Sequence, residues 1–201
     1  MKNSAILLAA GKGTRYQEVK QEVLFHGKPL WQYAYETIVG VLGCENIVVV
    51  GKDIPGGGTR AESVLNGLLG LPEDTDRVII VESARPMVTQ KQIQQLVEDS
   101  HPSTTFVRPL VNSVVFRDGR AIDRDELYDV LTPQAFDYKM LRHAYCSKGF
   151  VYAKEETRVM YEFYGIKPHF IETGTNLLKV TYPGDLEIIE LIYQQLNKND
   201  E

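Results

Sequence analysis

The sequence predicts an α/β fold, in which a Rossmann-like, mainly parallel sheet carries helices on both faces and a β-hairpin arm projects from it. Short apolar runs alternate with segments whose apolar residues recur at the helical period, as repeated βα units require. The runs are apolar at consecutive positions, which is typical of strands buried on both faces. The arm is predicted by the pair Asp118-Gly119, which favours a hairpin turn between two short extended segments.

The first half of the chain is expected to alternate strand and helix. The first helix should close at Gly43. The second has the clearest start, because Thr59 can cap it and Glu62, three residues later, can complete a capping box. The strands expected here are 5–8, 46–50, 77–81 and 104–107, and the helices are 28–43, 59–68 and 90–97.

The second half of the chain departs from this alternation. Residues 111–124 form the predicted arm, which pairs with a second subunit or folds over the chain's own site. The last helix, 183–195, begins with Pro183 in its first turn and has an apolar face made of Leu186, Ile189, Ile192 and Leu196. The other elements expected are helices 138–145 and 155–164 and strands near 169–172 and 176–181.

The composition bounds the kinds of ligand. The chain has 201 residues, 43% of them hydrophobic and 24% charged, and we treat it as one domain, 1–201. Its net charge of -5 argues against non-specific binding of nucleic acid, so any bound anion should meet a local basic cluster. Small phosphorylated ligands fit that condition. Because no apolar run is long enough for a signal segment or a membrane span, we expect a cytoplasmic protein.

The cysteines and histidines show no metal-binding motif. Cys44 and Cys146 are far apart and lack a Cys-x-x-Cys spacing, so reduced thiols are expected. The histidines are scattered over segments of different type, and none forms a metal-binding spacing: His26, His101, His143 and His169.

The turn after the first strand has the composition of a phosphate-binding loop. Gly11 and Gly13 allow backbone N–H groups to approach one anion, and Arg15 and Lys20 add full positive charges. This combination suits a nucleoside triphosphate, because it stabilises negative charge on a transferring phosphoryl group. The alternative is a tight turn that binds no ligand. The loop is neither a dinucleotide fingerprint, which needs a third glycine, nor a P-loop, which needs Gly-Lys-Ser/Thr.

A second part of the same crevice is expected after strand 77–81. Glu82 and Arg85 follow that strand, and the carboxyl ends of parallel strands line the ligand crevice of an open α/β sheet. A protein with a purely structural role would have no reason to place Arg15, Lys20 and Arg85 at strand ends.

Five sequence blocks occur in order along nearly the whole chain. They are Leu8-Ala9-Ala10-Gly11-x-Gly13-x-Arg15 with Lys20-Gln21, Gly57-x-x-Arg60-x-x-Ser63-Val64-x-x-Gly67-Leu68, Ser83-Ala84-Arg85-Pro86, Thr132-Pro133-Gln134-x-Phe136 and Lys179-x-Thr181-x-Pro183-x-Asp185-Leu186. In this order the chain resembles the 2-C-methyl-D-erythritol 4-phosphate cytidylyltransferases and the related ribitol-5-phosphate cytidylyltransferases.

The resemblance implies that CTP and a polyol phosphate, either 2-C-methyl-D-erythritol 4-phosphate or ribitol 5-phosphate, give a CDP-polyol and pyrophosphate. An oxygen of the acceptor phosphate would attack the α-phosphorus of CTP in line, so the protein would supply positioning and charge stabilisation. The resemblance also implies Mg²⁺ as the cofactor and a homodimer formed through the arm. The product would serve isoprenoid biosynthesis or a cell-surface polymer.

The resemblance further assigns roles to individual residues. The catalytic residues would be Arg15, Lys20 and Lys179, whose positive charges surround the reacting phosphates. The nucleotide would be bound by Ala9, Ala10, Gly11, Gly13, Gly57, Gly58, Ser63 and Glu82. The acceptor would be bound by Arg85, Ser113, Arg124 and Thr132, with the arm reaching in from the second subunit. Glu82, where the family usually has Asp, is also the candidate Mg²⁺ ligand.

The acceptor side of the chain departs from the family's pattern. Asn112-Ser113 and Val115 stand where the family usually has Asp-Thr and a nearby Lys, and Glu155-Glu156 stand where it has Thr-Asp. Two carboxylates would repel a phosphate, so we expect that segment to turn outward or to face a hydroxyl or amine of the acceptor. Two alternatives remain: a nucleotidyltransferase for a different base or acceptor, and a non-catalytic relative that binds CTP.

Overall fold

The computed structural model describes residues 1–11, 13, 16, 19–148, 150 and 152–198, with only the backbone described for Lys148 and Thr175. The strands in this part of the chain are β1 (Asn3–Leu8), β2 (Leu24–Phe25), β3 (Lys28–Pro29), β4 (Ile47–Val50), β5 (Arg77–Glu82), β6 (Ser103–Pro109), β7 (Val114–Val115), β8 (Ala121–Ile122), β9 (Tyr128–Asp137) and β10 (His169–Glu172). The helices are α1 (Leu30–Leu42), α2 (Arg60–Gly70), α3 (Gln90–Glu98), α4 (Tyr138–Lys148), α5 (Glu156–Tyr164) and α6 (Asp185–Lys198).

A six-stranded sheet with the order β10-β6-β9-β5-β1-β4 forms the centre of the described structure. Strand β1 pairs in parallel with β4 and β5, and β10 pairs in parallel with β6. Strand β9 lies between β5 and β6 and is antiparallel to both. The prediction of a mainly parallel sheet is therefore confirmed, with β9 as the exception.

Helices cover both faces of the sheet, as predicted. Successive side chains of a strand point to opposite faces, so Ala5 and Leu7 pack in one apolar cluster with residues of α1 and α3. Ile6 packs in the other cluster, with residues of α2, α4 and α5. A third cluster joins α6 to Phe25 and Leu30 near the start of α1. Each fully buried aliphatic side chain stabilises the fold by about 1.5–3 kcal/mol relative to exposure.

Local signals fix the end of α1 and the start of α2 where the sequence predicts them. Helix α1 stops before Gly43, which adopts a φ of 78° that an L side chain rarely takes. Helix α2 begins after Thr59 with a complete capping box: the Thr59 hydroxyl accepts from the Glu62 N–H at 3.1 Å, and the Thr59 N–H donates to the Glu62 carboxylate at 3.0 Å. The start of α2 matters for function, because it borders the cleft described below.

Strand β9 has no counterpart in the predicted elements. Its sequence contains Pro133, which is a signal against a central strand because proline has no N–H to donate. The register opposite β6 shows how the proline is accommodated. Thr105 lies opposite Gln134 and the next residue, Phe106, lies opposite Leu131, so Thr132 and Pro133 form a bulge with no partners on β6.

Two other segments differ from or extend the predictions. Residues 176–181 are not a strand, because Thr175–Leu177 forms a 3-10 turn and the chain then continues irregularly, with the Val180 N–H bonded to the Ala84 carbonyl at 2.8 Å. The arm is a hairpin as predicted, with Gly119 at a φ of 88°, but β7 and β8 pair over only two residues each and form a sheet of their own.

Two further expectations concern the surface. Cys44 and Cys146 are both free and exposed, in agreement with the prediction of unpaired thiols. Within the ranges that the structure describes, no helix combines the length and apolar character that crossing a bilayer requires.

Candidate active site

A cleft of about 350 Å³ opens at the carboxyl ends of β1 and β5. This is the edge of a parallel sheet at which ligands bind in open α/β folds. Its lining includes predicted site residues from several distant parts of the chain: Ala10, Gly11, Lys20, Gly57, Gly58, Ser63, Glu82 and Lys179. The structure thus gathers six of the eight predicted nucleotide-binding residues and two of the predicted catalytic residues around one cavity.

The turn after β1 is held by contacts to neighbouring strands. The Ala9 N–H donates to the Val50 carbonyl at 2.9 Å, and the Ser83 N–H donates to the Leu8 carbonyl at 3.1 Å. Ala9 is buried, so its contribution to the cleft is backbone support rather than exposed surface. Gly13 has a φ of 61°, the left-handed conformation expected of a glycine in this loop. Arg15 lies outside the described residues.

A glycine-rich loop forms the opposite wall and requires its small residues. A Cβ on Gly57 would lie 2.2 Å from the Cβ of Glu62, and one on Gly56 would lie 2.3 Å from the Cβ of Ala10. The Ser63 hydroxyl accepts from the Gly57 N–H and donates to the Thr59 carbonyl, both at 3.0 Å. Ser63 therefore fixes the loop to the first turn of α2.

A chain of charged side chains runs along the floor of the cleft. Arg60 donates from Nη1 and Nη2 to the two carboxylate oxygens of Glu156 at 2.6 and 2.9 Å, and from Nε to Glu82 Oε1 at 2.8 Å. Lys179 Nζ forms a close ion pair with Glu82 Oε2. The Tyr145 hydroxyl donates to Glu156 Oε1 at 3.0 Å. We call these five residues the charged network.

The charges in this network keep Glu82 ionised. Burial alone would raise the pKa of the Glu82 carboxyl, but the cations of Lys179 and Arg60 and their hydrogen bonds lower it to about 2. Burial likewise opposes the charge on Arg60, yet Glu156 and Glu82 raise the pKa of its guanidinium. Burial and the Glu156 carboxylate raise the pKa of the Tyr145 hydroxyl, which therefore stays a hydrogen-bond donor.

The Glu155-Glu156 segment corrects a prediction. We expected it to turn outward or to face the acceptor, but the Glu156 side chain is fully buried against Arg60. Glu155 accepts from the Gln134 side chain at 2.5 Å and caps α5. The expectation was wrong because it treated both carboxylates as unpaired. Arg60 forms an ion pair with Glu156, and Gln134 donates a hydrogen bond to Glu155.

Two of the predicted acceptor-binding residues contact each other. Arg85 donates from Nε to the Thr132 hydroxyl at 2.9 Å, and its Nη1 donates to the Leu177 carbonyl. Both side chains are buried, with exposed fractions of 7% and 4%. Burial lowers the pKa of the Arg85 guanidinium, against the pull of Glu82 and other carboxylates. In this arrangement Arg85 ties the residues after β5 to the bulge of β9.

The other two predicted acceptor-binding residues lie in or beside the arm. Ser113 is exposed and directly precedes β7. Arg124 starts a 3-10 turn and donates to the Val111 carbonyl within the same arm. Neither of them lines the cleft of its own chain, and Arg85 and Thr132 do not line it either.

The family of the chain follows from a profile match. The profile of the 2-C-methyl-D-erythritol 4-phosphate cytidylyltransferase family matches residues 4–195. The chain belongs to this family.

Individual relatives of this cytidylyltransferase align with it over nearly their full length. It is 31% identical to the 2-C-methyl-D-erythritol 4-phosphate cytidylyltransferase of Haemophilus influenzae over an alignment of 222 residues, which covers 96% of this chain and 97% of the relative. The enzyme of the same name from Aquifex aeolicus is 30% identical, with 94% and 96% of the two chains covered.

Solved structures support the fold of the cytidylyltransferase. The bifunctional IspDF protein of Campylobacter jejuni superposes with a TM-score of 0.81 at 27% identity, covering 93% of this chain and 54% of that one. The 2-C-methyl-D-erythritol 4-phosphate cytidylyltransferase of Thermus thermophilus superposes with a TM-score of 0.76 at 21% identity, covering 96% and 100%. At that lower identity the likeness concerns the fold alone.

Sequence reasoning gave no role to three members of the charged network. Arg60 belongs to one of the five sequence blocks, and Glu156 departs from the family's Thr-Asp pattern. No motif in the sequence indicates that these two side chains form an ion pair. Tyr145 carried no signal, since an isolated Tyr in an amphipathic helix is usually a core residue. The usable signal was the coexistence of a basic residue in the first turn of α2 with an unexplained acidic pair.

Proposed function

We propose that this cytidylyltransferase transfers the cytidylyl group of CTP to 2-C-methyl-D-erythritol 4-phosphate, forming 4-diphosphocytidyl-2-C-methyl-D-erythritol and pyrophosphate. The observation that carries the proposal is the cleft at the ends of β1 and β5, where two lysines face a glycine-rich loop. Glycine loops admit a nucleotide closely, and lysines favour its phosphates. Family membership supplies the identity of the two substrates.

In the reaction, an oxygen of the acceptor phosphate attacks the α-phosphorus of CTP. The new P–O bond forms as the bond to the pyrophosphate leaving group breaks, and the electron pair leaves with pyrophosphate. The attacking oxygen is already an anion, so no general base is needed. Lys20 and Lys179, with Arg15, stabilise the charge that gathers around the reacting phosphorus.

The charged network gives Lys179 a fixed position in this scheme. Glu82 holds Lys179 on one oxygen and Arg60 on the other, and Glu156 anchors Arg60 from the core. A lysine side chain has considerable rotamer freedom, so an ion pair that fixes it before CTP arrives lowers the cost of ordering it. Glu82 therefore acts as a positioning residue for Lys179.

The nucleotide side relies on backbone groups. The Ser63 hydroxyl already has partners in Gly57 and Thr59, so Ser63 shapes the loop and the backbone of Gly57 and Gly58 meets the cytosine. The turn around Ala10, Gly11 and Gly13 meets the triphosphate with its N–H groups.

Mg²⁺ fits this site through the substrate rather than through a dedicated protein cage. When bound, it would neutralise part of the negative charge of the triphosphate. Glu82 is the carboxylate in the described lining of the cleft, but each of its oxygens faces a cation, Arg60 on one side and Lys179 on the other. Its carboxylate fits the role of ion-pair partner better than that of a direct Mg²⁺ ligand.

We also propose that the arm forms a homodimer. Its apolar side chains are exposed in the single chain, at 77% for Val111, 63% for Val115 and 45% for Phe116. Exposed apolar residues clustered on one projecting element are typical of a protein interface. In the dimer the arm would carry Ser113 and Arg124 toward the acceptor in the partner's cleft.

The test is pyrophosphate release from CTP and Mg²⁺ with 2-C-methyl-D-erythritol 4-phosphate and ribitol 5-phosphate side by side. We expect turnover with the first acceptor and a loss of about 10²- to 10³-fold in kcat for Lys20→Ala and Lys179→Ala, the size found when one transition-state donor is removed. Lys91→Ala, on the exposed first turn of α3, is the matched control and should keep wild-type activity.

Each other outcome of this assay contradicts a part of the proposal. Preferential turnover of ribitol 5-phosphate would replace the acceptor. CTP binding without turnover of either acceptor would favour the non-catalytic alternative. Equal activity in the Lys179 variant would remove that residue from the catalytic group.

A further inference from the structure

A cluster of two histidines and one aspartate lies near the amino ends of β6 and β10, on the side of the sheet opposite the cleft. Asp99 follows α3, His101 precedes β6, and His169 is the first residue of β10. Strand β9 is antiparallel to both β5 and β6, so β6 and β10 run parallel to β1 and β5. The amino ends of β6 and β10 therefore lie on the opposite side of the sheet from the carboxyl ends that form the cleft. The cluster therefore belongs to no part of the cytidylyltransferase site.

The potential ligand atoms of the cluster converge. One nitrogen from each imidazole and one oxygen of the carboxylate all lie within 4.8 Å of one another. His169 Nδ1 is 2.7 Å from Asp99 Oδ2, and His101 Nδ1 is 3.2 and 3.3 Å from the two carboxylate oxygens. A tetrahedral Zn²⁺ with ligand bonds of about 2.0–2.1 Å keeps its ligand atoms roughly 3.3–3.5 Å apart. The ligand atoms lie within 4.8 Å of one another, so coordination would require the two exposed imidazoles to rotate toward that spacing.

The aspartate is already oriented for such a role. Its Oδ1 accepts from the His101 N–H at 2.9 Å, from the Thr104 hydroxyl at 2.6 Å and from Arg77 at 3.5 Å. Its Oδ2, in contrast, has hydrogen bonds only from the two imidazoles among the described residues. Metal-binding carboxylates are commonly held in this way, with one oxygen fixed by hydrogen bonds and the other facing the ion.

The backbone of His101, which precedes β6, is also held in place. Arg77, which is almost completely buried, donates from Nη1 to the His101 carbonyl at 2.8 Å and from Nε to the Leu96 carbonyl at 2.8 Å. The backbone that presents His101 is thus fixed to the core. The two imidazoles stack with their centroids 4.1 Å apart, and both are solvent-accessible, so water can complete the coordination of an ion.

We propose that Asp99, His101 and His169 form a binding site for a late first-row divalent metal ion, with Zn²⁺ as the test ion. Two imidazoles and one carboxylate suit such an ion, whereas Mg²⁺ and Ca²⁺ prefer sets made of oxygen ligands. The ion would link the segment before β6 to β10, which is the edge strand of the sheet. Its consequence is stabilisation of that edge, since an ion that binds only the folded state raises its stability.

The test is calorimetric titration of the full chain with Zn²⁺ in a buffer free of chelators. We expect one binding event that is weakened by at least about tenfold in each of His101→Gln and His169→Gln, which is the loss found when a supporting residue of a metal site is removed. His143→Gln is the matched control, because this exposed imidazole contacts Tyr164 away from the cluster and should leave the titration unchanged.

Thermal unfolding gives a second readout. At a Zn²⁺ concentration of about 100 Kd, the Tm of the wild type should rise by roughly 5–10 °C. The Tm of the double variant H101Q/H169Q should be the same with and without Zn²⁺. Melting curves without metal establish that each variant folds. Co²⁺ in place of Zn²⁺ should show visible absorption bands that the double variant lacks.

Other results would overturn the proposal. Zn²⁺ binding of equal affinity and stoichiometry in the wild type and the double variant would assign the ion to other groups, such as the exposed thiols Cys44 and Cys146. The absence of measurable heat at millimolar Zn²⁺ in the wild type would show that the three side chains only bond to one another.

Discussion

Arg60 joins two carboxylates that come from distant positions in the chain. It forms a two-point contact with Glu156 and a single contact with Glu82, and about three quarters of its side chain is removed from solvent. A buried carboxylate without a counter-ion is unfavourable by several kcal/mol. Arg60 is therefore the residue on which the folding of the cleft floor depends.

The first prediction concerns Arg60→Ala. The substitution leaves Glu156 buried without its cation, so we expect a loss of about 3–5 kcal/mol in the free energy of unfolding, measured by urea denaturation. Adding Glu156→Gln to Arg60→Ala should recover part of that loss, because the amide carries no charge. Arg158→Ala, which breaks an exposed ion pair with Glu162 on the surface of α5, is the control and should have little effect. An equal loss in the single and double variants would contradict the argument.

The second prediction follows from the pKa of Glu82. The folded state lowers this pKa from 4.5 to about 2, so the carboxylate contributes stability above the unfolded value, and this contribution is lost as the pH falls through the folded value. We expect the difference in unfolding free energy between wild type and Glu82→Gln to shrink between about pH 5 and about pH 2. Other depressed carboxyls such as Asp99 are present in both proteins and cancel in the difference. A difference that does not change with pH would exclude this role.

At the scale of elements, helix α2 and the loop before it form one unit. The capping box fixes the start of α2, and Ser63 bonds back to the Gly57 N–H. The helix therefore positions the loop, which forms one wall of the cleft.

The third prediction concerns Gly57→Ala. The new Cβ would lie 2.2 Å from that of Glu62, so the loop must move and the bond from the Gly57 N–H to Ser63 is lost. We expect the KM for CTP to rise about tenfold, which corresponds to the loss of one hydrogen bond of ~1.4 kcal/mol between the loop backbone and the nucleotide, with a smaller change in kcat. Gly184→Ala, where a Cβ meets nothing within 4 Å, should leave the steady-state kinetics unchanged. An unaltered KM in Gly57→Ala would show that the loop does not bind the nucleotide.

The elements also show how far sequence reasoning reached. Segments with strong periodicity or caps, such as α2 with Thr59 and Glu62, were predicted with correct starts because the deciding contacts are local. Strand β9 was missed because the bulge that accommodates Pro133 depends on its pairing with β6. In the cleft, residues on loops with family motifs were predicted, whereas the pairing of Arg60 with Glu156 depends on the fold bringing the start of α2 next to the start of α5. The cluster of Asp99, His101 and His169 could not be predicted from spacing, since 68 positions separate its histidines and only the pairing of β6 with β10 brings them together.

At the scale of the whole molecule, none of the four predicted acceptor-binding residues lines the cleft of one chain. Arg85 and Thr132 are buried and contact each other. Ser113 and Arg124 remain in the arm, while the cleft lies at the ends of β1 and β5. A dimer in which each arm reaches the other subunit would complete both sites. The exposed Val111, Val115 and Phe116 are the surface on which such a dimer would form.

The fourth prediction tests this arrangement by complementation. Arg124→Ala and Lys20→Ala should each be poorly active alone, because one removes the arm's contact and the other removes a catalytic charge. After the two variants are unfolded, mixed and refolded, we expect partial recovery of activity, since a mixed dimer has one site with both residues intact. Light scattering should report a dimer that Val115→Asp disrupts. No recovery in a confirmed mixed dimer would mean that Arg124 acts within its own chain or not at all.

The charged network also bears on how the protein is made. Arg60 and Glu82 leave the ribosome early, but Tyr145, Glu156 and Lys179 belong to the last third of the chain. Until that part is synthesised, Glu82 has Arg60 but not Lys179 as an ion-pair partner, and Arg60 lacks Glu156. Under the catalytic role proposed for Lys179, a nascent chain gains transfer activity only when synthesis has passed that residue.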